Sequence, residues 1–304
     1  MISVASALCA ASLTHPLAKA SLAELAALSQ RAGASGGIFL AFDREGRALD
    51  SFSFGSPGSE GAPEWTPDVM GRIASVSKPI TAEAIVRLIR AGKLSLNTPA
   101  FRYLGLGRPN DPRKGLITVE MLLRHKSGYS DSRSVGRDPA FDQFVVARAM
   151  GVKTPLTTKQ VVQYGFGSFP LTDNPGSASK SYANFNFAIL GEIVEKASGK
   201  SYAEAVTEML ADMKVAGIQP GVTLSPAPNE AKYFEAGRPR LYNSLFKPGQ
   251  KCSPAYGGYS LETILPFGGW IASINGLKSF VLQTAAKPGF TGLGWHEAVG
   301  GTSR

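Results

Sequence analysis

The stretch RIASVSKPITAEAIVRLIRAGKLSLNTPAFRYL, from Arg72 to Leu104, decides how the rest of the chain reads. Within it Ile80, Ala84, Ile85, Leu88 and Ile89 recur at near-helical spacing, which predicts a helix from about Ser75 to Ala91. Pro79 has no amide hydrogen to donate and fits only a first helical turn, so Ser75 belongs at the N-terminal end. Ser75 and Lys78 then share a face, and the lysine amine reaches the serine hydroxyl. A serine hydroxyl is a poor nucleophile until a neighbouring base takes its proton. A lysine can serve as that base once burial lowers its pKa. The helix N-terminus adds a positive field for a developing oxyanion.

Spacing alone is weak evidence. An SxxK arises by chance about once in a chain this long, and Ser177 to Lys180 is another one. An isolated pair of this kind is usually a solvated helix face. Position separates the two. Ser75 lies where a loop enters an apolar helix, whereas Ser177 follows Pro175-Gly176 in a loop with no helix starting at once. The second candidate element is Tyr182-Ala183-Asn184, just ahead of an apolar helical stretch from Phe185 to Ala197 that Gly199 ends. A phenol near the lysine can exchange protons with the serine and the leaving group. The asparagine amide can orient the lysine and bind a substrate carbonyl.

Toward the N-terminus, residues 37–42 and 47–54 read as two strands of a hairpin, with turn chemistry at Asp43-Arg44-Glu45-Gly46. Residues 21–33 read as an amphipathic helix opened by a Ser21/Glu24 capping box. Residues 1–20 fit a signal peptide, with an apolar run from Ile2 to Leu13 and small residues at Ala18-Lys19-Ala20, although no Lys or Arg opens it. On that reading the protein is periplasmic or secreted. On the alternative, an ordinary leading helix, it is cytoplasmic.

Toward the C-terminus, Thr118 to His125, 139–150 and 158–164 read as helices, and a second capping box at Ser201 and Glu204 opens another to about Leu210. Residues 215–265 are turn-rich, Phe267 to Ala272 is a candidate strand, and Ile274 to Thr284 a helix. This order predicts an α+β fold: an antiparallel sheet built from both chain ends, flanked by helices, with a mostly helical insertion. The expected division is 21–77 plus 255–304 for the sheet-containing part and 78–254 for the helical part, with the active site between them.

The bulk properties exclude several function classes. The chain has 304 residues, 43% hydrophobic and 18% charged, with 34 Gly and 20 Pro, which suits a globular, loop-rich fold. The net charge of +9 is scattered, with no Lys/Arg run interleaved with aromatics, which argues against nucleic-acid binding. Three histidines and two cysteines, Cys9 and Cys252, form no metal-ligand or CxxC spacing, so no metal or organic cofactor is implied. Beyond the leader, no segment is long and apolar enough to span a membrane. The oligomeric state is left open.

Five blocks stand in order: Arg72 to Leu104; ITVEMLLRHKSGYSD, Ile117 to Asp131; PGSASKSYANFNFAILGEIVEKASGKSYAEAV, Pro175 to Val206; PFGGWIASINGLKSFV, Pro266 to Val281; and Gly292-Leu293-Gly294-Trp295. Together they resemble the serine β-lactamase-like superfamily, which includes class C β-lactamases, DD-peptidases and family VIII carboxylesterases, over roughly residues 35–295. Ordered blocks are far more specific than any one of them. The resemblance implies a β-lactamase/transpeptidase-like fold. It implies Ser75 as acylated nucleophile, with its N–H as half the oxyanion hole, Lys78 as proton partner, Tyr182 as general acid/base and Asn184 as substrate-binding. His125 matches a family histidine with a structural role.

Three departures stand out. The family's third motif, Lys-Thr-Gly or His-x-Gly, has no match; His296-Glu297-Ala298 lacks the glycine and comes too early, and the sequence stops at Arg304. The expectation is a truncated copy, a piece of a longer protein or a degenerate homologue, without the C-terminal strands and helix. The hairpin at 37–54 would then keep an open apolar edge. Gly276 stands where the family usually has Asp, and Ala272 where it often has Ser. The resulting expectation is a serine hydrolase forming an acyl-enzyme on a small ester, amide or β-lactam. Carboxylesterase or β-lactamase-related hydrolase ranks above true β-lactamase. The alternatives are a catalytically impaired homologue acting as a binding or vestigial protein, and a DD-peptidase or penicillin-binding protein.

Overall fold

Strand pairing between distant parts of the chain sets the stage for Ser75. In the computed structural model, which describes residues 19–58, 64–132, 138–177, 181–234 and 240–284, the chain runs α1 (Lys19–Arg31), β1 (Gly36–Phe42), β2 (Ala48–Gly55), β3 (Gly71–Arg72), α2 (Ser77–Arg90), α3 (Ala100–Leu104), α4 (Val119–Leu123), α5 (Gln143–Met150), α6 (Thr158–Ser168), α7 (Asn184–Ser198), α8 (Tyr202–Asp212), β4 (Ile218–Pro220), β5 (Tyr242–Asn243), β6 (Lys251–Cys252), β7 (Trp270–Ala272) and α9 (Ile274–Thr284). Short 3₁₀ turns at Ala74–Val76, Pro112–Leu116 and Pro254–Tyr256 link them. The architecture is α+β, as the element order predicts.

β1 and β2 form the expected hairpin. Asp43 shapes its turn, accepting from the amides of Glu45 and Arg47 and from the Arg47 guanidinium. Among the described residues no strand pairs with the other edge of β1. α1 packs on the hairpin and α9 on β1. A second sheet has the order β3-β7-β4, all antiparallel, pairing Gly71 with Ala272 and Ile218 with Ala272. The residues just ahead of Ser75 are thus hydrogen-bonded to a strand from the far end of the chain.

α7 is the core helix, buried without interruption from Phe185 to Val194. α2, α3, α4, α6 and α8 pack around it. Close approach depends on glycine: a Cβ at Gly165 would lie 2.2 Å from the Phe185 ring. α6 stays helical through Gly165 and Gly167 to Ser168, past the predicted end at 164.

Other boundaries also moved. α1 is already helical at Lys19, so Ser21 and Glu24 lie inside it and do not mark its start. α5 starts at Gln143, not 139, because the Asp138 carboxylate accepts the Ala140 amide and holds a turn there. The Ser201/Glu204 capping box is present, and Thr157/Gln160 forms another that the sequence analysis did not single out. The predicted strand at 267–272 shrinks to Trp270–Ala272. Gly276 has a packing reason: a Cβ there would sit 2.4 Å from the Gly217 carbonyl. Residues 1–18 of the candidate signal segment 1–20, Cys9, Lys180 of the second SxxK and the stretch from Gly292 to Trp295 lie outside the described residues. Among the described residues no helix is long and apolar enough to cross a membrane, and no group of His, Cys, Asp and Glu could hold a metal.

Candidate active site

The approach to Ser75 is strained. Ile73 donates its amide to the Trp270 carbonyl, and Ala74 then turns at φ 45°, a left-handed conformation that a residue with a Cβ disfavours. A 3₁₀ turn over Ala74–Val76 carries the chain into α2. Ser75 therefore precedes the α-helix proper, and its side chain stays partly open to solvent. Below it, the Ser77 hydroxyl accepts the Trp270 amide, and Thr81 bonds the Tyr202 hydroxyl and the Pro266 carbonyl. These bonds lock α2 to β7 and α8.

Lys78 is completely buried. Its Nζ lies 3.0 Å from Ser75 Oγ, 2.5 Å from the Tyr182 hydroxyl, 2.7 Å from Asn184 Oδ1 and 3.0 Å from the Phe267 carbonyl. Burial pushes the amine down to about 7, partly offset by Asp131 and Asp138, which favour the charged form. A neutral amine has two N–H donors and one lone pair. Asn184 Oδ1 and the Phe267 carbonyl can only accept, so they take the two N–H groups. The lone pair is left for the hydroxyls of Ser75 and Tyr182.

Ser75 Oγ and the Tyr182 hydroxyl are themselves 2.6 Å apart. The Tyr182 ring reaches the surface, but its hydroxyl sits among Ser75, Lys78 and Asn184. Burial pushes that phenol up to about 12, the Ser75 hydrogen bond pulls it back, and Asp131 and Asp138 push it further up. Near neutral pH the tyrosine is thus a proton donor and the lysine the stronger base. His125 stacks on Tyr182 with ring centroids 4.7 Å apart, and its Nδ1 accepts the Ala183 amide at 3.2 Å. It props the ring from behind, well placed for a structural role.

The four residues singled out from the sequence, Ser75, Lys78, Tyr182 and Asn184, therefore converge. Ser75 and Asn184 line a cleft of about 240 Å³, with Lys78 buried behind them. Phe141, Leu261, Ile264 and Phe267 form an apolar wall, and Arg72, Tyr233 and Tyr259 line another part. Arg72 is buried, bonded to Glu230 and the Ala255 carbonyl, with Tyr233 stacked 4.3 Å from its guanidinium carbon. Sequence reasoning missed the Phe267 carbonyl, since every residue carries one. It also gave Asp131 no role, although Asp131 ends one of the quoted blocks.

The family model described as Beta-lactamase matches residues 23–300. The esterase EstB of Burkholderia gladioli is 32% identical over 146 residues, covering 47% of this chain and 36% of EstB. The D-alanyl-D-alanine-carboxypeptidase/endopeptidase AmpH of Escherichia coli K12 is 27% identical over 201 residues, covering 66% of this chain and 48% of AmpH. The chain thus spans less than half the length of these two relatives. Among solved structures, the octameric penicillin-binding protein homologue from Pyrococcus abyssi superposes with a TM-score of 0.61 at 21% identity, over 87% of this chain and 56% of that one. A match across nearly the whole sequence, on a fold shared with penicillin-binding proteins, leads to one conclusion: the chain belongs to the Beta-lactamase family of serine hydrolases.

Proposed function

We propose that the chain hydrolyses an ester or amide through an acyl-enzyme on Ser75, and that carboxylesterase chemistry is its main activity. The observation that carries this reading is the buried Lys78 amine, within hydrogen-bond reach of both Ser75 Oγ and the Tyr182 hydroxyl. As Ser75 Oγ attacks the substrate carbonyl carbon, its proton passes to the Lys78 lone pair. The tetrahedral oxyanion is stabilised by the Ser75 N–H and the N-terminal field of α2. Tyr182, recharged by the Lys78 ammonium, donates the proton that the leaving oxygen or nitrogen needs as its bond to the acyl carbon breaks. Water then attacks the acyl-enzyme, gives its proton to the same pair, and Ser75 Oγ leaves with a proton restored. The apolar wall of Phe141, Leu261, Ile264 and Phe267 suits a hydrocarbon acyl or alcohol group, and the relative named an esterase supports the same choice.

The pH dependence tests the assignment of roles. Lys78 acts only when neutral, so the acylation rate falls as pH drops through its value of about 7. Below that point the loss is about tenfold per pH unit, with a plateau above it. Tyr182 keeps its proton until about 12, so no alkaline fall is expected in the ordinary working range. The measurement is the burst-phase release of p-nitrophenolate from a p-nitrophenyl ester across pH. A flat profile through neutrality would remove Lys78 as the base.

A further inference from the structure

Asp131 lies on the loop after α4 and brackets the Tyr182–Asn184 segment from both sides. Its own amide donates to the Tyr182 carbonyl at 2.9 Å. Its carboxylate accepts the Asn184 amide, the first of α7, at 3.2 and 3.1 Å, and the Asn184 side-chain Nδ2 at 2.7 Å. An ionised carboxylate offers only acceptors, so it must face the NH₂ end of the Asn184 carboxamide. That leaves Oδ1 turned toward Lys78, which donates to it at 2.7 Å.

We propose that Asp131 is a positioning residue for the acylation step, fixing which end of the Asn184 carboxamide faces Lys78. The inference rests on the serine-hydrolase reading above. If the carboxamide turned over, its NH₂ would face the amine and donate into the lone pair. That lone pair would then be occupied when Ser75 needs it. Asp131 thus acts through Asn184, and through Asn184 on the lysine, without touching the reacting atoms.

Capping of α7 is the competing structural role, since a carboxylate at the first amide of a helix stabilises it. Asp131→Asn separates the two. Asparagine caps a helix about as well as aspartate. Its single neutral oxygen, however, holds Nδ2 less firmly than the two-oxygen anion, and its NH₂ competes for Asn184 Oδ1, so the carboxamide is no longer fixed in one sense. Asp131→Asn is expected to lower the acylation rate constant by roughly 10- to 100-fold, the size expected for a misplaced catalytic group. KM and the melting temperature should stay near those of the wild type. The charged and titratable groups facing Lys78 among the described residues are Asp131, Asp138 ahead of α5, and Tyr182 ahead of α7; the 261–268 turns offer only Phe267 and its carbonyl. Removing one of the two carboxylates also moves the acid limb of the acylation profile to lower pH.

The second variant is the exchange Asp131→Asn with Asn184→Asp. It again presents only oxygen to Lys78, but as a carboxylate in contact with the amine it favours the ammonium, so the acid limb should move to higher pH and acylation should recover, relative to Asp131→Asn alone, on the alkaline plateau. The proposal is overturned by an Asp131→Asn protein with wild-type acylation and an unmoved acid limb, or by a folded exchange variant that stays as slow as the single one even on its alkaline plateau. Should Asp131→Asn not fold, the exchange variant decides alone: restored acylation supports the proposal, and an inert folded protein overturns it. A wild-type chain that never acylates would instead remove the serine-hydrolase reading itself.

Discussion

Lys78→Met is expected to slow acylation of Ser75 by on the order of 10³-fold, the usual worth of a positioned general base. Methionine keeps most of the side chain's volume and removes the amine. Lys78 is fully buried, and taking an ionisable nitrogen out of water is costly unless every bond is satisfied. Replacing it by an apolar side chain of similar size relieves that desolvation but takes a donor from Asn184 Oδ1 and the Phe267 carbonyl, so the two effects offset and the melting temperature should stay near that of the wild type even as activity collapses. Loss of activity without loss of stability is the mark of a group held in place for chemistry. Burst kinetics with a p-nitrophenyl ester and thermal unfolding check both halves. Acylation within about tenfold of the wild type would show that the proton leaves Ser75 by another route.

Phe185→Ala is expected to destabilise the fold by about 3–5 kcal/mol, the range for a fully buried aromatic. That corresponds to a fall of about 10 °C in melting temperature for a chain of this size. The ring has no exposure. It meets Tyr129 edge-on at 4.9 Å and Phe169 at 5.5 Å, and Gly165 is bare so that the ring can approach α6. Its neighbour in sequence is Asn184, so the cavity also loosens the first turn of α7 and activity should fall with stability. Thermal unfolding followed by circular dichroism gives the answer. A fall of less than about 2 °C would mean that this contact between α6 and α7 is not a keystone of the core.

Much of this arrangement was legible before the structure. Pro79 and the apolar spacing of Ile80, Ala84, Ile85 and Leu88 put Ser75 at a helix start, and the helix indeed begins within two residues of it. Ser201 with Glu204 marked a helix start correctly because a capping box is a local, reciprocal pair of bonds. The same pattern at Ser21 and Glu24 misled, because α1 was already running at Lys19. Asp138 shows a comparable limit. A helical pattern from 139 said nothing of a carboxylate that holds the Ala140 amide in a turn.

What stayed hidden was tertiary in origin. The left-handed turn at Ala74 arises from pairing with Trp270, roughly two hundred positions away, and no local pattern announces it. The Phe267 carbonyl and the Asp131 carboxylate belong to loops whose composition reads simply as turn chemistry. Gly276 looked like divergence from the family, yet it is required by the Gly217 backbone that packs against it. The site residues with distinctive side chains were therefore readable, while the groups that orient them were not.

If Ser75 is the activated nucleophile of acyl transfer, a fluorophosphonate probe will phosphonylate it as fluoride leaves, and intact-protein mass spectrometry reads the adduct. One adduct per chain is expected, mapped to the peptide containing Ser75, absent from Ser75→Ala and strongly slowed in Lys78→Met. A Ser75→Ala protein that labels as fast as the wild type would contradict it.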